Sequence, residues 1–342
     1  VEITRHFVRR EEFHLSVATL EGRCDANEAG RLRANLAEAA LASMLPFVIA
    51  QHQARYGRIP RGAFAVVALG KAGSSEMLAG SDLDLMLIYD HAATPTAPTQ
   101  YFVRLSHAFT GAVTAQGLSG PLYKVDMRLR PSGNHGPVAV SLAAFRRYHE
   151  TESWTWERLA LTRARVLAAT PGFAKIVQGE ILAALSHEAV PDKIRQDTAT
   201  MRERIEAELP PRGPFDVKNL PGGMLEVTFI AEALQLIHGP ANPVLFRPNT
   251  ADALRALIAA GHLLPGDGET LIAADFLWRS IQGIERITGL HESMLEPPPA
   301  TLAPLLRTTK TADLSDLRER VASTSRAVRS CFERYITPGV PV

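Results

Sequence analysis

The sequence predicts an α+β protein, in which a small mixed sheet with flanking helices is followed by an α-helical bundle. Helical periodicity fills the start of the chain, strand-like apolar runs cluster between about residues 63 and 140, and helical periodicity then returns. We therefore divide the 342 residues into N-terminal helices at 1–58, a sheet-containing domain at 59–208 and a C-terminal helical bundle at 209–342.

Composition excludes several classes of protein. Apolar residues make up 46% and charged residues 21%, which are ordinary globular values, and the net charge of +1 gives no field for nucleic acid or an anionic membrane. Cys24 and Cys331 lie far apart, so we expect no disulfide framework. Residues 1–10 do not resemble a signal peptide, and no apolar run has the length of a membrane span. These features predict a cytoplasmic protein.

The first 57 residues have the periodicity of helices. Asp25 is placed to cap the second helix, and Pro46 predicts a kink or break within it. Apolar or small residues recur there at spacings of three and four: Leu32, Leu36, Ala39, Ala40 and Ser43.

Short apolar runs then predict a sheet. A helix is expected between the second and third strands, at Thr99–Gln116. The predicted strands are Phe64–Leu69, Leu83–Tyr89, Leu122–Arg128 and Pro137–Val140.

No further strand is expected after Ser141. The linker Leu209–Phe215 predicts a boundary, Thr250 is expected to cap a later helix, and apolar stripes mark the last two long helices. Helices are predicted at Leu142–His149, Trp156–Leu167 and Phe173–Ser186.

Two acidic residues open the second predicted strand. Because side chains alternate along a strand, Asp82 and Asp84 point the same way while Leu83 points into the sheet. Crowded carboxylates repel one another, and a hard cation such as Mg²⁺ relieves that repulsion. An Asp-x-Asp pair is also found at ordinary solvent-facing strand ends, so the pair alone is a weak signal.

A small-residue loop lies just upstream. Gly70 ends the first predicted strand, and Lys71, Gly73 and Ser74 follow it. Such residues let backbone N–H groups approach phosphate oxygens. The segment matches neither the Walker A nor the Rossmann pattern, and a plain turn is the alternative interpretation.

A third carboxylate, Asp126, lies on the third predicted strand with Arg128 and Arg130 on the same face. A surface ion pair is the alternative. If this strand neighbours the Asp82–Asp84 strand, three carboxylates converge beside arginines, as two-metal phosphoryl or nucleotidyl transfer requires.

This arrangement resembles the polymerase-β-like nucleotidyltransferase superfamily, and more narrowly the glutamine synthetase adenylyltransferases. The similar segments cover most of residues 60–230. They are Val66–Lys71, Ala79–Leu85, Val125–Asn134, Trp154–Arg158, Leu161–Arg165, Phe215–Lys218 and Gly222–Gly223.

Members of that family have two homologous halves, one attaching AMP and one removing it. Ala79–Asp84, Arg130–Asn134 and Trp154–Trp156 are similar to the C-terminal, adenylylating half. Two departures stand out: Ser74 replaces a glycine of the loop, and Glu226 with Thr228 replaces an Asp-x-Glu pattern.

The resemblance implies that Asp82, Asp84 and Asp126 are catalytic and hold two Mg²⁺ ions, with Mn²⁺ as a substitute, and that ATP is the substrate. It makes Arg163 and Arg165 candidate phosphate or helix–site contacts, and a structural ion-pair network with Glu157 is the alternative. Trp154 and Trp156 are expected to pack rather than to form a base-stacking platform. The implied nucleotide-binding residues are Gly70, Lys71, Gly73, Ser74, Ser81, Arg128 and Arg130.

The resemblance also implies a tyrosine of glutamine synthetase as the acceptor, with a PII signalling protein and glutamine as regulators. Two alternatives stay open: phosphorolytic removal of AMP from the same protein, and a regulatory docking module with a vestigial site. A nucleic-acid polymerase is disfavoured, because no basic excess is present.

Overall fold

A computed structural model describes residues 1–92, 98–117, 120–131, 133, 136–188, 190–289 and 296–337. The chain forms two compact units. The sheet unit comprises Val1–Phe13, Arg31–Met77 and Ser81–His187. The helical unit comprises His14–Gly30, Leu78–Gly80 and Glu188–Val342.

The sheet unit contains a five-stranded mixed sheet, which confirms the predicted α+β class. The strand order is β3-β2-β1-β5, and β4 also pairs with β2. β1 runs antiparallel to β2 and β5, whereas β3 and β4 run parallel to β2. The strands are β1 (Ala63–Ala68), β2 (Leu83–Asp90), β3 (Val125–Asp126), β4 (Ala139–Ser141) and β5 (Arg165–Ala169).

Two strand predictions were wrong. β3 has two residues, not the seven of Leu122–Arg128, because the backbone N–H of Arg128 bonds to the Asp126 side chain and ends the extended segment. The predicted helix Trp156–Leu167 stops at Leu161, and Arg165–Ala169 pairs with β1 as an edge strand. Pairing with a distant partner overrode the local helical pattern there.

The helices in the first part of the chain, α1 to α7, mostly follow the predicted periodicity. The Asp25 side chain accepts a hydrogen bond from the Glu28 N–H at 2.9 Å and so caps α2 as predicted. The helices are α1 (Glu2–Leu20), α2 (Ala26–Tyr56), α3 (Gly70–Gly73), α4 (Pro98–Thr114), α5 (Leu142–Thr151), α6 (Thr155–Leu161) and α7 (Phe173–Leu185).

One apolar cluster joins α2, α4 and the sheet. α2 is long and apolar enough to cross a membrane, but half of its most apolar window is buried inside the protein, as in a core helix. Of the kink or break that we predicted at Pro46, the break does not occur, because Pro46 lies within this helix without ending it. Members of the cluster include Leu41, Met44, Leu45, Phe64, Val66, Leu85, Phe102 and Phe109.

The helical unit contains the second group of helices. Asn249, not Thr250, caps α10, because its side chain accepts the Asp252 N–H. Cys24 and Cys331 are both buried, and neither forms a disulfide bond. The helices are α8 (Pro191–Glu208), α9 (Met224–His238), α10 (Thr250–Ala259), α11 (Pro265–Thr288), α12 (Pro299–Thr309) and α13 (Leu314–Tyr335).

Candidate active site

The acidic pair lies where β2 begins. Asp82 is exposed just before the strand, Leu83 is fully buried, and Asp84 is partly buried within the strand. This alternation is the one the sequence predicted, since apolar residues anchor the strand while the acidic side chains share the other face. A rigid sheet therefore positions both carboxylates.

Asp126 lies beside this pair. β3 runs parallel to β2 in the register Leu83 with Val125 and Asp84 with Asp126. The Leu83 N–H also bonds to the Lys124 carbonyl at 2.9 Å. Paired residues of neighbouring strands direct their side chains to the same face, so Asp84 and Asp126 are neighbours although 42 positions separate them.

The carboxylates repel one another. Burial raises the pKa of Asp84 above its usual range, and the charges of Asp126 and Asp82 raise it further. Arg163 and Lys71 oppose that rise. Such crowding of like charges is typical of functional sites rather than of structural ion pairs.

Asp126 has the opposite shift, because Arg128 binds it. The Arg128 N–H donates to Oδ1 at 2.8 Å, and the guanidinium donates to Oδ2 through Nε, also at 2.8 Å. These hydrogen bonds, more than the charge alone, lower the pKa of Asp126. The Arg128 side chain itself is 74% exposed.

The three aspartates suit Mg²⁺ in donor type, because this ion prefers carboxylate oxygens. They also suit it in placement, on adjacent strands. Among the described residues, however, no three acidic, histidine or cysteine side chains are already grouped to hold a metal ion. In this structure both carboxylate oxygens of Asp126 are bonded to Arg128.

The loop after β1 touches the acidic pair. Gly70 has a φ of +52°, and a Cβ placed on it would lie 2.1 Å from Oδ2 of Asp84. Only glycine allows this approach. Lys71, partly buried, lies close enough to act electrostatically on Asp84. The predicted loop therefore does meet Asp84, one of the three predicted carboxylates.

Two of the expected phosphate donors are already used inside the loop. The Gly73 N–H bonds to the Leu69 carbonyl at 3.0 Å, and the Ser74 N–H bonds to the Gly70 carbonyl at 3.1 Å. The Ser74 hydroxyl is buried and donates to Glu76 at 2.7 Å. These contacts do not support phosphate binding through the N–H groups of Gly73 and Ser74.

Two arginines hold the loop from β5 and the turn before it. Arg163 donates to the Ser74 hydroxyl at 2.6 Å and forms an ion pair with Glu76. Arg165 donates to the carbonyls of Gly73 and Ala72, each at 3.2 Å. Both were candidate phosphate contacts, but their contacts are those of loop supports. The signal for this role is the strand β5: had it been recognised in the sequence, the two arginines would have been placed beside the loop.

Arg130 also has a structural position. Its guanidinium is nearly buried and donates to the carbonyls of Met127, Gly136 and Pro137. It therefore shapes the turn after β3, and the expectation that it faces phosphate alongside Arg128 is not supported. Ser132 and Asn134, which contributed to the Arg130–Asn134 resemblance, lie outside the described residues.

Three further predictions concern Ser81 and the two tryptophans. Ser81 directly precedes Asp82 and is partly buried. Trp154 and Trp156 are 69% and 41% exposed, so the prediction that they pack in the interior was wrong. α6 begins with their exposed side chains because Trp154 stands at its N-cap, where Glu157 accepts its backbone N–H.

The departures at Glu226 and Thr228 belong to the interior of the helical unit. Glu226 is fully buried and bonds to Arg202 at 2.9 Å and to Arg329 at 2.7 Å. Gly222 has a φ of +75°, and a Cβ there would lie 1.8 Å from the Ser325 carbonyl oxygen. This segment therefore serves packing between helices α8, α9 and α13.

Comparison with known families covers nearly the whole chain. The family described as glutamate-ammonia ligase adenylyltransferase matches residues 1–178. The family described as GlnD PII-uridylyltransferase matches residues 199–336. The first match includes every candidate catalytic residue.

Curated relatives are similar along the chain. Proteins named bifunctional glutamine synthetase adenylyltransferase/adenylyl-removing enzyme from Mesorhizobium japonicum, Rhizobium meliloti and Caulobacter vibrioides are 36%, 37% and 37% identical to it. The aligned regions cover 98%, 97% and 98% of this chain. They cover 35% of each relative, so the chain spans about a third of the length of these proteins.

Proposed function

The chain belongs to the glutamate-ammonia ligase adenylyltransferase family, and we propose that it transfers AMP from ATP to a tyrosine hydroxyl of glutamine synthetase, releasing pyrophosphate. Its relatives are named for both attaching and removing AMP. The similarity of Ala79–Asp84 and Trp154–Trp156 to the adenylylating half favours attachment.

One observation carries the proposal: the pairing of Asp84 with Asp126 across two parallel strands, with Asp82 two residues before Asp84. Three carboxylates at the start of β2 and on β3, with a raised pKa at Asp84, support metal-assisted nucleotidyl transfer. A surface ion pair would need only Asp126 and Arg128, whereas here Asp126 is also paired with Asp84 in the register of β3 and β2.

Asp82, Asp84 and Asp126 would hold Mg²⁺, or Mn²⁺ in its place. When bound, the ions would neutralise charge on the triphosphate and on the attacking oxygen. We expect two such ions.

The chain's own groups supply the remaining chemistry. The tyrosine oxygen attacks the α-phosphorus, its proton passes towards Asp126, and the bond to the β-phosphate oxygen breaks. Lys71, close to Asp84, adds positive charge where negative charge accumulates. The absence of a side chain at Gly70 leaves the loop backbone against the Asp84 carboxylate.

Incubation with glutamine synthetase, Mg²⁺ and ATP, followed by intact mass spectrometry, tests this proposal. We expect each modified subunit to gain one AMP. Asp90→Asn is the matched control, because Asp90 is an exposed aspartate at the far end of the same strand. A protein that binds Mg²⁺ and ATP yet adds AMP to no tyrosine contradicts the proposal.

The reverse reaction is the second candidate, since the name of the relatives covers it. Adenylylated glutamine synthetase with inorganic phosphate, in place of ATP, distinguishes it. Release of ADP under those conditions, without AMP attachment from ATP, identifies the removing half. Failure to bind any Mg²⁺–nucleotide complex instead indicates a docking module with a vestigial site.

For the whole protein we propose control by a PII signalling protein and by glutamine, in the cytoplasm. The match of residues 199–336 to a family named for PII uridylylation supports a part for the helical unit in this control. AMP transfer by the present chain that does not respond to PII or glutamine would place the regulatory contacts elsewhere in the parent protein.

A further inference from the structure

We infer that Arg128 exchanges partners during the reaction cycle, holding Asp126 in the free protein and a nucleotide phosphate when Asp126 binds metal. The inference rests on the proposed function, because it concerns the same carboxylates. It makes Arg128 a positioning residue that couples metal binding to nucleotide binding.

The contacts of Asp126 are the first step. Both of its carboxylate oxygens accept hydrogen bonds from Arg128: Oδ1 from the backbone N–H and Nε, and Oδ2 from Nε and Nη2. The guanidinium fork therefore covers the oxygens that a cation would need. This agrees with the lack of an assembled acidic metal cluster among the described residues.

The exposure of Arg128 is the second step. Its side chain is 74% exposed, whereas that of Asp126 is 21% exposed. An ion pair with a solvent-exposed partner contributes little stability, so it can exchange readily. Arg130 cannot exchange in the same way, because it is nearly buried and its donors hold three backbone carbonyls.

Local charge is the third step. Asp84 also acts electrostatically on Arg128, so the guanidinium offsets the repulsion between the two paired carboxylates while no cation is present. A metal ion supplies that positive charge instead. The displaced guanidinium, with five donors in a planar fork, suits a phosphate.

Reciprocal coupling follows. A nucleotide that binds Arg128 frees Asp126 for the metal, and a metal on Asp126 frees Arg128 for the nucleotide. Each ligand therefore strengthens the binding of the other by the same factor. Metal alone must compete with Arg128 for the carboxylate.

The test compares wild type, Arg128→Gln and Arg146→Gln by titration with Mn²⁺, with free Mn²⁺ followed by electron paramagnetic resonance. Each titration is repeated with saturating α,β-methylene-ATP, which cannot transfer AMP. Arg146 is the matched control, because it forms a two-bonded pair with Glu180 in the same unit and is 51% exposed. The Asp126 bond to the backbone N–H of residue 128 survives the substitution, so the turn should be kept.

Without nucleotide, we expect Arg128→Gln to bind Mn²⁺ up to about fivefold more tightly than wild type. With metal, we expect it to bind the analogue about tenfold more weakly. The strengthening of Mn²⁺ binding by the analogue should shrink accordingly, and Arg146→Gln should match wild type. Arg128→Lys keeps the charge but not the fork, and should recover only part of the nucleotide affinity.

The inference is overturned if Arg128→Gln binds Mn²⁺ no more tightly than wild type, or if its coupling is unchanged. Absence of Mn²⁺ binding by every variant overturns the metal site and the exchange together. The proposed function fails separately: the expected titrations, combined with no AMP on glutamine synthetase, would leave the exchange standing and reject the acceptor.

Discussion

The acidic group at the start of β2 is arranged differently from the buried charges of the helical unit. In the helical unit they meet opposite charges: Arg202 with Glu226 at 2.9 Å, and Arg279 with Asp275 at 2.7 Å. In the sheet unit Asp84 instead faces Asp82 and Asp126, and its pKa is raised by burial and by both neighbours. The pair of Arg202 and Glu226 joins α8 to α9, whereas the group of like charges destabilises the start of β2 and so indicates a function.

The largest effect should come from the like-charged group. Asp82→Asn or Asp84→Asn should lower AMP transfer at least about a thousandfold. Each substitution removes a ligand of the metal ion whose charge stabilises the transition state. Steady-state assays with ATP and glutamine synthetase measure this. The control Asp90→Asn, on the same strand, should keep wild-type activity. Retained activity in either site variant would show that these carboxylates do not hold the metal.

A substitution in the oppositely charged group of the helical unit should change the stability of the fold. Glu226→Gln leaves the buried guanidinium of Arg202 with only the more distant carboxylate of Glu206, at 3.4 Å, and should destabilise the fold by about 3 kcal/mol. Urea denaturation measures the free energy of unfolding. Glu208→Gln is the control, since Glu208 forms an exposed pair with Arg204 and should change stability by less than about 1 kcal/mol. Equal stability of the two variants would contradict a structural role for Glu226.

Asp126 should be intermediate between these cases. Asp126→Asn should lower the chemical step about a hundredfold and ATP affinity much less, because it removes a proton acceptor while Asp82 and Asp84 remain. Single-turnover kinetics beside equilibrium nucleotide binding separates the two quantities. If Asp126 were only the partner of Arg128 on the surface, turnover would stay near normal and stability would change by less than about 1 kcal/mol.

The difference between the units also explains what the sequence could predict. Asp82, Asp84 and Gly70 lie within 15 positions, so strand alternation and a glycine-rich loop were enough to group them. The pairing of Asp126 could be stated only as a condition, because register between distant strands depends on the whole sheet. β5 was missed for the same reason, since its pairing with β1 spans about 100 residues.

The roles of the arginines were the least predictable part of the site. Spacing placed Arg128 and Arg130 on one strand face, but the strand ends at Asp126 and the two side chains diverge. Arg128 returns to Asp126, whereas Arg130 is nearly buried among carbonyl groups. A guanidinium bonds equally well to phosphate, carboxylate or carbonyl oxygen, so residue type alone does not select among them.

Each unit contains a histidine whose pKa the fold lowers, so the stability of the two units in acid can be compared. The pKa of His149 in the sheet unit is lowered to about 4 by burial, with Arg158 and His187 adding to the effect. The pKa of His238 in the helical unit is also lowered to about 4, by burial and then by His262 and Arg195. Both groups are therefore neutral in the fold, and their contribution to stability is present above the unfolded pKa of 6.5 and lost as pH falls towards 4.

His149→Gln should therefore reduce the acid sensitivity of the fold. We expect it to remove about 2 kcal/mol of the wild-type loss in unfolding free energy between pH 7 and pH 5. His238→Gln should remove less, because its ring is only half-buried. Urea denaturation at both pH values gives the difference for each variant. An equal loss for wild type and His149→Gln would show that His149 does not set the acid response.

The smallest expected effect concerns the free-energy cost of crowding the carboxylates at the start of β2. Because the Asp84 pKa is raised in the fold, the protonated form is favoured there, and the stability it contributes is lost as pH rises through that pKa. At neutral pH the ionised Asp84 therefore weakens the metal-free fold.

Asp84→Asn should stabilise the metal-free protein by about 1 kcal/mol at pH 7 while abolishing transfer. The gain should shrink in acid, because wild-type Asp84 then takes up a proton as well. Thermal unfolding in chelator at pH 7 and pH 4 measures both values, and Asp90→Asn, exposed on the same strand, should show no such gain. A metal-free Asp84→Asn protein that melts clearly earlier than wild type at pH 7 would mean that the carboxylate stabilises the fold, and the contrast between the two units would then disappear.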